Sequence, residues 1–376
     1  MDNIQTNSGA PFFRIGETPR RMMLDTLIAL WIALIPAIFI SGFRSLIMAA
    51  LGVLGAVAAE VIWQFIRREP QTVGDLSAVV TGLCCALLLP AGCPVWLPAL
   101  SAAFGTVCAK LAFGGLGRSP FDPAAAGTCF AFLIAGKNIT DITQTMGYSA
   151  QEKAMWKALP DRVFFSIPEK SIVPLFGNFS FKGLSLFDSL DMNSQLRAGI
   201  DPHLTFSQFL FGTRAGALGT TCVLALAVSA LWLIARRSMA WRACASYLVS
   251  IAVISFIFPH RQLFAVVSPL YDVFACGSVF FAVFLIGSRL TAPKMRSGQV
   301  LYGAAAGILT VLLRHLSEIG YSDVFAVMLC GIFSGRIDRF VWFCRSHGIS
   351  YTATKRSMIS KIKARANREE EPADEV

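Results

Sequence analysis

Long apolar runs alternate with short polar turns over most of the chain. Apolar segments recur near residues 24–42, 45–66, 76–90, 95–113, 123–136, 215–235, 243–259, 266–287, 299–314 and 322–335. A simple membrane-spanning helix needs about 20 apolar residues, and several of these segments are shorter and bounded by glycine or proline. The pattern predicts an all-α polytopic membrane protein with about ten transmembrane helices, some of them discontinuous.

The apolar segments form two sets of five, which indicates an internal repeat. Asp75 and Asp272 lie near the start of the third segment of each set, and Asp122 and Asp323 lie near the start of the fifth. Five spans per unit require that the two units insert in opposite orientations. We therefore predict one integral membrane domain over residues 1–376. Its parts are repeat 1 (24–136), a long extracytoplasmic loop (137–214), repeat 2 (215–335) and a basic, then acidic, cytoplasmic tail (336–376).

Composition excludes a soluble globular domain. The chain is 55% hydrophobic and 15% charged, whereas soluble domains are nearer a quarter charged. The net charge of +10 is interpreted through the positive-inside rule rather than as a nucleic-acid surface. Ten basic residues fall in loops on the side of the termini and three on the other side: Arg67, Arg68, Lys110, Arg118, Arg236, Arg237, Arg242, Arg289, Lys294 and Arg296 against Arg44, Arg261 and Arg314. Both termini are predicted to be cytoplasmic, with the basic tail on anionic lipid.

Motifs for autonomous catalysis are missing from the sequence. The ten cysteines form no CxxC pair, and none of the four histidines pairs at a helical spacing, so we predict neither a metal nor haem. Most cysteines lie in apolar runs and are interpreted as small buried hydrophobes. Walker A loops, Rossmann fingerprints and triad spacings are also missing. We predict no catalytic residue.

The segment around Asp122 carries the most distinctive pattern. It contains KLAFGGLGRSPFDPAAAG over residues 110–127. An aspartate followed by proline is typical of a helix start, because the carboxylate caps free N–H groups and proline is tolerated at the first helical position. Irregular backbone next to a membrane survives only when protein buries it or it lines a cavity. The turn is therefore either a tight re-entry or a ligand site.

This turn, together with DLSAVVTG over 75–82 and RRMMLDTLI over 20–28, resembles the D subunits of Rnf electron-transport complexes. It is also similar to the B subunit of the sodium-pumping NADH:quinone reductase. The resemblance covers roughly residues 15 to 340. It implies a pair of inverted five-helix repeats similar to urea transporters. It also implies the bacterial cytoplasmic (inner) membrane, other Rnf-type subunits as partners, and coupling of ferredoxin/NAD electron transfer to sodium or proton transport.

The resemblance also implies flavins, and here the chain departs from the family. Family members attach FMN to the threonine of an S-G-A-T motif before the sixth span. This chain has Asp188-Ser189-Leu190-Asp191 there, with Asp191 in the threonine position. A carboxylate cannot form that stable phosphoester, and its charge opposes a phosphate nearby. We therefore do not expect covalent FMN.

A non-covalent FMN or riboflavin is the remaining cofactor prediction. Its candidate residues are Thr81, Gly82, Ser119, Phe121 and Asp122. The family has asparagines at the positions of Ser119 and Asp122, and an ionised aspartate only accepts hydrogen bonds. A structural helix cap is the favoured alternative for Asp122. Thr81 and Gly82 either face a ligand or permit a close helix crossing.

Two charged positions inside apolar runs complete the candidates. Glu60 lies in VAAEVIWQF, and an acid within a span is a candidate for an ion pathway. Glu60 is seven residues from Arg67, near the cytoplasmic end, so the alternative is that it reaches water or forms an ion pair. Arg314, His315 and Glu318 are interpreted as an interfacial charge cluster.

The sequence therefore predicts a membrane subunit of an Rnf-type complex. Two alternatives stay open. One is a redox-inactive transporter or channel-like protein, which the lost S-G-A-T motif favours. The other is a flavin-free structural subunit of the complex.

Overall fold

A computed structural model describes the helical body of the protein. The described residues are 19–68, 70, 72–90, 93–115, 117–135, 210–211, 216–259, 268–316 and 322–346. Within these ranges all regular secondary structure is helical, apart from two isolated β-bridges. The predicted all-α class is confirmed for this part of the chain. The predicted extracytoplasmic loop lies almost wholly outside the described residues, and so does the chain beyond 346.

Five helices make up the first half. They are α1 (Pro19–Ser41), α2 (Phe43–Arg67), α3 (Ser77–Leu88), α4 (Leu97–Leu111) and α5 (Pro123–Ala135). Gly42 separates α1 from α2 with a φ of 72°, a left-handed conformation that glycine adopts without steric cost and that allows the sharp reversal. The last part of α4, Gly105–Leu111, is π-helical. Such π segments inside helices occur often at functional sites.

The second half contains six helices among the described residues. They are α6 (Val223–Ala235), α7 (Trp241–Ile257), α8 (Ser268–Leu270, continued by a π-helix over Tyr271–Ala275), α9 (Ser278–Phe280, continued by a π-helix over Phe281–Ile286), α10 (Arg296–Leu316) and α11 (Ser322–Ser346). Gly277 has a φ of 83° and breaks the chain between α8 and α9, which are bent by 53°. α11 continues past residue 335, where repeat 2 was predicted to end.

Helices lie at all ten predicted positions when α8 and α9 are counted as one broken element. Three of them, over Pro19–Phe39, Phe43–Arg67 and Arg296–Leu316, are long and apolar enough for a simple span, and the bent pair is a fourth. Five further apolar helices have only 10–17 residues. A membrane protein with several apolar helices is therefore supported, and the number of crossings stays a prediction.

Glycines allow the helices to approach closely. A Cβ on Gly82 of α3 would lie 2.5 Å from the carbonyl oxygen of Gly52 in α2, and a Cβ on Gly52 would lie 2.6 Å from that of Gly82. Gly303 and Gly307 of α10 likewise pack closely against α7. A Cβ on Gly303 would overlap the carbonyl oxygen of Ala243, and a Cβ on Gly307 would overlap the side chain of Ser250. Small residues at such crossings increase van der Waals contact, which is a main source of helix association in lipid.

The two halves are joined by hydrogen bonds as well as by packing. The backbone N–H of Gly219 donates to the carbonyl of Leu87 at 2.7 Å, at the end of α3. The hydroxyl of Ser229 in α6 donates to the carbonyl of Ala29 in α1 at 2.9 Å. These contacts place the start of the second half against α1 and α3, and a cavity lies beside this junction.

Candidate functional site

The cavity between the two halves brings together three of the five predicted flavin residues. Thr81, Ser119 and Asp122 line it. Polar groups on the rest of its wall come from both halves: Thr26, Ser77, Lys110, Ser238, Arg289 and Thr291. Residues that are far apart in sequence therefore meet at one site.

Asp122 caps α5, as the favoured alternative predicted. The backbone N–H of Ala124 donates to its Oδ1 at 2.8 Å. Burial of the carboxyl raises the pKa of Asp122 to about 6, and the backbone N–H groups of Ala124 and Ala125 act in the opposite direction. Asp122 thus combines a structural role with a position on the cavity wall.

The other predicted flavin residues have different roles. Thr81 lines the cavity, and its hydroxyl donates to the carbonyl of Ser77 at 2.9 Å. Gly82 forms the α2–α3 crossing, so the structure favours the packing alternative for it. The ring of Phe121 packs edge-on to Phe113, with centroids 5.9 Å apart, and its Cβ faces Gly331 of α11. Gly82 and Phe121 are therefore packing residues in this structure and do not line the cavity.

The groups that line the cavity suit a flavin, but the volume of the cavity is small for one. Hydroxyl donors, an ammonium and a carboxylate suit the polar edge of a flavin ring, which offers both donors and acceptors. The cavity volume is about 80 Å³, enough for several waters. Sites for drug-sized ligands have volumes of roughly 300 Å³ or more. The cavity is therefore smaller than a typical site for a ligand of flavin size, and we assign no electron-transfer step to it.

Glu60 is held by a buried network that the sequence did not reveal. Its side chain is fully buried, and Lys110, with 4% of its side chain exposed, donates to its Oε1 at 2.6 Å. Lys110 also donates to the hydroxyl of Ser77 at 2.6 Å. Thr72 donates to the same Glu60 oxygen at 2.7 Å, while Oε2 is buried without a hydrogen-bond partner.

The structure corrects one prediction and decides another. A loop position for Lys110 is wrong, because the π-helical turn of α4 places its ammonium inside the protein, 3% exposed. Of the alternatives for Glu60, the structure shows pairing, with Lys110, and not contact with water. A buried carboxylate requires such a partner, because desolvation of an unpaired charge is prohibitive.

Arg314 is the centre of a second buried cluster. Its guanidinium donates to Asp323 at 2.8 and 2.5 Å, to the side chain of Asp272 at 3.2 Å and to the hydroxyl of Ser278 at 2.7 Å. Arg314 is 2% exposed, and both aspartates are at most 1% exposed. The predicted interfacial cluster is therefore wrong for Arg314, and Glu318 lies outside the described residues.

The two clusters occupy matching places in the two halves. Lys110 lies at the end of the fourth helix of the first half and donates to Ser77, the first residue of α3. Arg314 lies in the last turn of α10 and donates to Ser278, the first residue of α9. In each half a buried cation therefore joins the end of one helix to the start of the helix before it.

Metal ligation finds no support in the part of the chain that the structure describes. It holds no group of three or more His, Cys, Asp or Glu side chains placed to bind a metal ion. All ten cysteines are free thiols, and seven of them are buried, consistent with small hydrophobic side chains.

Comparison with known proteins places the chain in a family. The profile of the NQR2, RnfD, RnfE family matches residues 6–343. The chain belongs to this family. It is 30% identical over 338 residues to the D subunit of the ion-translocating oxidoreductase complex of Cronobacter sakazakii, an alignment that covers 86% of this chain and 93% of the relative.

Two further relatives differ in the ion that their names state. The D subunit of the proton-translocating ferredoxin:NAD(+) oxidoreductase complex of Clostridium ljungdahlii is 25% identical over 90% of this chain and 95% of its own length. The D subunit of the Na(+)-translocating ferredoxin:NAD(+) oxidoreductase complex of Acetobacterium woodii is 25% identical over 89% of this chain and 93% of its own. Family membership therefore leaves the ion open. The segment Asp188–Asp191, where this chain lacks the S-G-A-T motif, lies outside the described residues.

Proposed function

We propose that this protein is the D-type membrane subunit of a complex that couples electron transfer between ferredoxin and NAD to ion transport. The observation that carries the proposal is a family match over nearly the whole chain, with relatives named as the D subunits of such complexes. Other membrane and peripheral subunits of the complex are its partners. Ferredoxin and NAD react on those partners, because this sequence carries no site for either.

We also propose the bacterial cytoplasmic membrane as its location, with ten spans in two inverted repeats and both termini cytoplasmic. The matching places of the Lys110–Ser77 and Arg314–Ser278 bonds support the repeat. Removing Lys110 and Arg314 from the loop count leaves nine basic residues against two, so the positive-inside argument for the termini still holds.

The proposal has two versions, which differ in whether the subunit binds a flavin. In the first, FMN or riboflavin binds non-covalently beside Thr81, Ser119 and Asp122, with Lys110 at the same wall, after the cavity has widened. A bound flavin would supply one-electron transfer, and the chain would orient its ring. In the second, the subunit holds no flavin and serves as a structural and ion-handling part of the complex. The cavity volume of about 80 Å³ favours the second version.

The first experiment is purification of the tagged chain from native membranes in mild detergent. We expect the other subunits of the complex to copurify, together with ferredoxin-dependent NAD+ reduction. Two results together would support the redox-inactive transporter instead: the tagged chain is recovered alone, and membranes of a strain that lacks its gene keep ferredoxin-dependent NAD+ reduction. Covalent flavin appears as a fluorescent band on a denaturing gel, and non-covalent flavin appears in the supernatant after denaturation.

A further inference from the structure

Asp338 of α11 lies beside the start of α10. Its carboxylate accepts the backbone N–H of Lys294 at 2.8 Å and that of Met295 at 3.2 Å. At the opposite end of the same helices, Arg314 of α10 donates to Asp323 of α11 at 2.8 Å. The two helices therefore run antiparallel and are joined at both ends. The residues of α11 that follow Asp338 extend past the start of α10.

The length of α10 places the level of Asp338 at one boundary of the hydrocarbon core. α10 has 21 residues, which make a helix of about 31 Å, and the hydrocarbon core is about 30 Å thick. Phe340, Trp342 and Phe343 follow in the next turns of α11, at most about 3, 6 and 8 Å beyond the boundary. A headgroup layer is about 5–8 Å thick. The three aromatic side chains thus fall within that layer or at its edge, where aromatic residues are enriched.

An exposed stripe of α11 crosses this boundary. Its members recur three or four residues apart and so share one face of the helix: Ile332, Phe333, Arg336, Arg339, Phe340 and Phe343. Each of its apolar side chains is between 42% and 59% exposed. The α11 stripe is therefore apolar within the hydrocarbon, cationic at the boundary and aromatic in the headgroup layer. A phospholipid has matching parts in the same order, because its acyl chains are followed by a phosphate and a polar headgroup.

The two arginines of the α11 stripe form no ion pair with a carboxylate of the residues that the structure describes. The guanidinium of Arg336 lies 5.4 Å from the centroid of the Phe333 ring, which is one turn back toward the hydrocarbon. A cation at that depth is costly unless a counter-ion or water compensates it. A lipid phosphate lies at the boundary and supplies the counter-ion, and a guanidinium binds phosphate oxygens in a bidentate geometry.

The charge at this end of the two helices favours an anionic lipid over a zwitterionic one. Lys294 and Arg296 at the start of α10 are exposed as well, so four cationic side chains accompany one carboxylate. That carboxylate, on Asp338, is already engaged by backbone N–H groups. Basic groups between helices on the cytoplasmic side bind anionic lipid headgroups, and this end of α10 lies on the side for which we propose that location.

We propose that the α11 stripe binds one anionic phospholipid. The lipid phosphate lies at Arg336 and Arg339, one acyl chain follows Phe333 and Ile332, and the headgroup contacts Phe340. The inference goes beyond the proposed function and rests only on the proposed membrane location. Absence of the other subunits, or of NAD+ reduction, would refute the proposed function and leave lipid binding intact.

Native mass spectrometry of the delipidated chain in detergent tests the site directly. Dioleoylphosphatidylglycerol is anionic and dioleoylphosphatidylcholine is zwitterionic, while their acyl chains are identical. We expect the first phosphatidylglycerol to bind more tightly than the first phosphatidylcholine. One basic residue near anionic lipid contributes about five-fold in affinity, so Arg336→Gln with Arg339→Gln should weaken phosphatidylglycerol binding about thirty-fold. Equal affinity for phosphatidylglycerol in the wild type and this double variant would overturn the inference.

Arg67→Gln with Arg68→Gln is the matched control. It removes the same charge from two exposed arginines at the end of α2, and the Arg67 guanidinium also lies over an aromatic ring, 5.0 Å from the centroid of Trp63. α2 ends at Arg67, so, unlike α11, it has no further turn of helix past its arginines. We expect wild-type affinity for phosphatidylglycerol. Equal weakening in the two double variants would show an effect of net charge alone and would overturn the site.

A soluble headgroup separates a lipid site from a phosphate site. sn-Glycerol 3-phosphate has the phosphate but no acyl chains, so it should not displace bound phosphatidylglycerol from the wild-type chain. Displacement at a concentration equal to that of the lipid would show that the acyl chains contribute nothing, and would overturn the assignment to lipid.

A photo-cross-link distinguishes lipid from a protein partner in native membranes. Phe340→p-benzoylphenylalanine places the reactive group in the headgroup layer, and irradiation is followed by mass spectrometry of the purified chain. We expect the mass of the chain to increase by that of one phospholipid. A cross-link to another protein, or no lipid adduct, would overturn the inference.

Discussion

The Glu60–Lys110 pair allows a sharp test of how a buried charge is stabilised in this fold. Lys110→Met keeps the length of the side chain and removes its charge. Glu60 would keep the hydroxyl of Thr72 as a donor but lose the ammonium at 2.6 Å. Removing one partner of a buried ion pair destabilises proteins by about 3–5 kcal/mol, because it leaves an uncompensated buried charge. We expect a loss of that size in the free energy of unfolding.

The double variant Glu60→Gln with Lys110→Met should recover much of this loss. It leaves no buried charge, and replacing a whole buried pair is often neutral. The coupling energy from the double-mutant cycle should therefore be at least about 2 kcal/mol. Unfolding in mixed micelles of SDS and dodecyl maltoside, followed by tryptophan fluorescence, measures the free energy of unfolding of the wild type, the two single variants and the double variant.

The pair of Asp25 and Arg236 is the internal comparison. Its bond is 3.0 Å long, but 38% of the arginine side chain is exposed, so solvent screens the interaction and its coupling should stay below about 1 kcal/mol. Equal coupling energies for the two pairs, or additive effects of Glu60→Gln and Lys110→Met, would refute the argument that burial determines the size of the effect.

Three further predictions concern other parts of the body. Gly307→Ala should destabilise the protein by about 1–3 kcal/mol, since its Cβ would meet Ser250 and lie 2.8 Å from a backbone oxygen of α7. Gly335→Ala, where a Cβ meets nothing within 4 Å, is the control in the same thermal denaturation assay and should stabilise the helix by up to about 1 kcal/mol. Arg314→Met should destabilise by about 3–5 kcal/mol and Arg314→Lys by less, because lysine keeps the charge but not the bidentate geometry; equal losses in chemical unfolding would contradict the role of the guanidinium fork. The pKa of Asp122 is raised to about 6, so the folded state holds a proton that the unfolded state releases between about pH 4 and pH 6. The free energy of unfolding should therefore fall by up to about 3 kcal/mol as the pH rises through that window. Asp122→Asn, which keeps an oxygen for the cap, should flatten the curve, and an unchanged pH profile would exclude this carboxyl as its source.

The positions of the helices were predictable from the sequence because they depend on local composition. Lipid cannot satisfy backbone hydrogen bonds, so each long apolar run must become a helix, and helices lie at all ten predicted positions. The cap at Asp122 was predictable for a similar reason, since a carboxylate followed by proline acts on N–H groups only two residues away. These features arise within one segment of chain.

The burial of Lys110 and Arg314 was decided only by the tertiary structure. Each lies at the end of an apolar run, where the sequence suggests a loop or an interface. Glu60 is 50 residues from Lys110, and Asp272 is 42 residues from Arg314. A charge becomes stable inside the protein only when packing brings such a distant partner within hydrogen-bonding distance. Sequence alone identified the acid at Glu60, and the helix packing determined that its partner is the buried Lys110 ammonium.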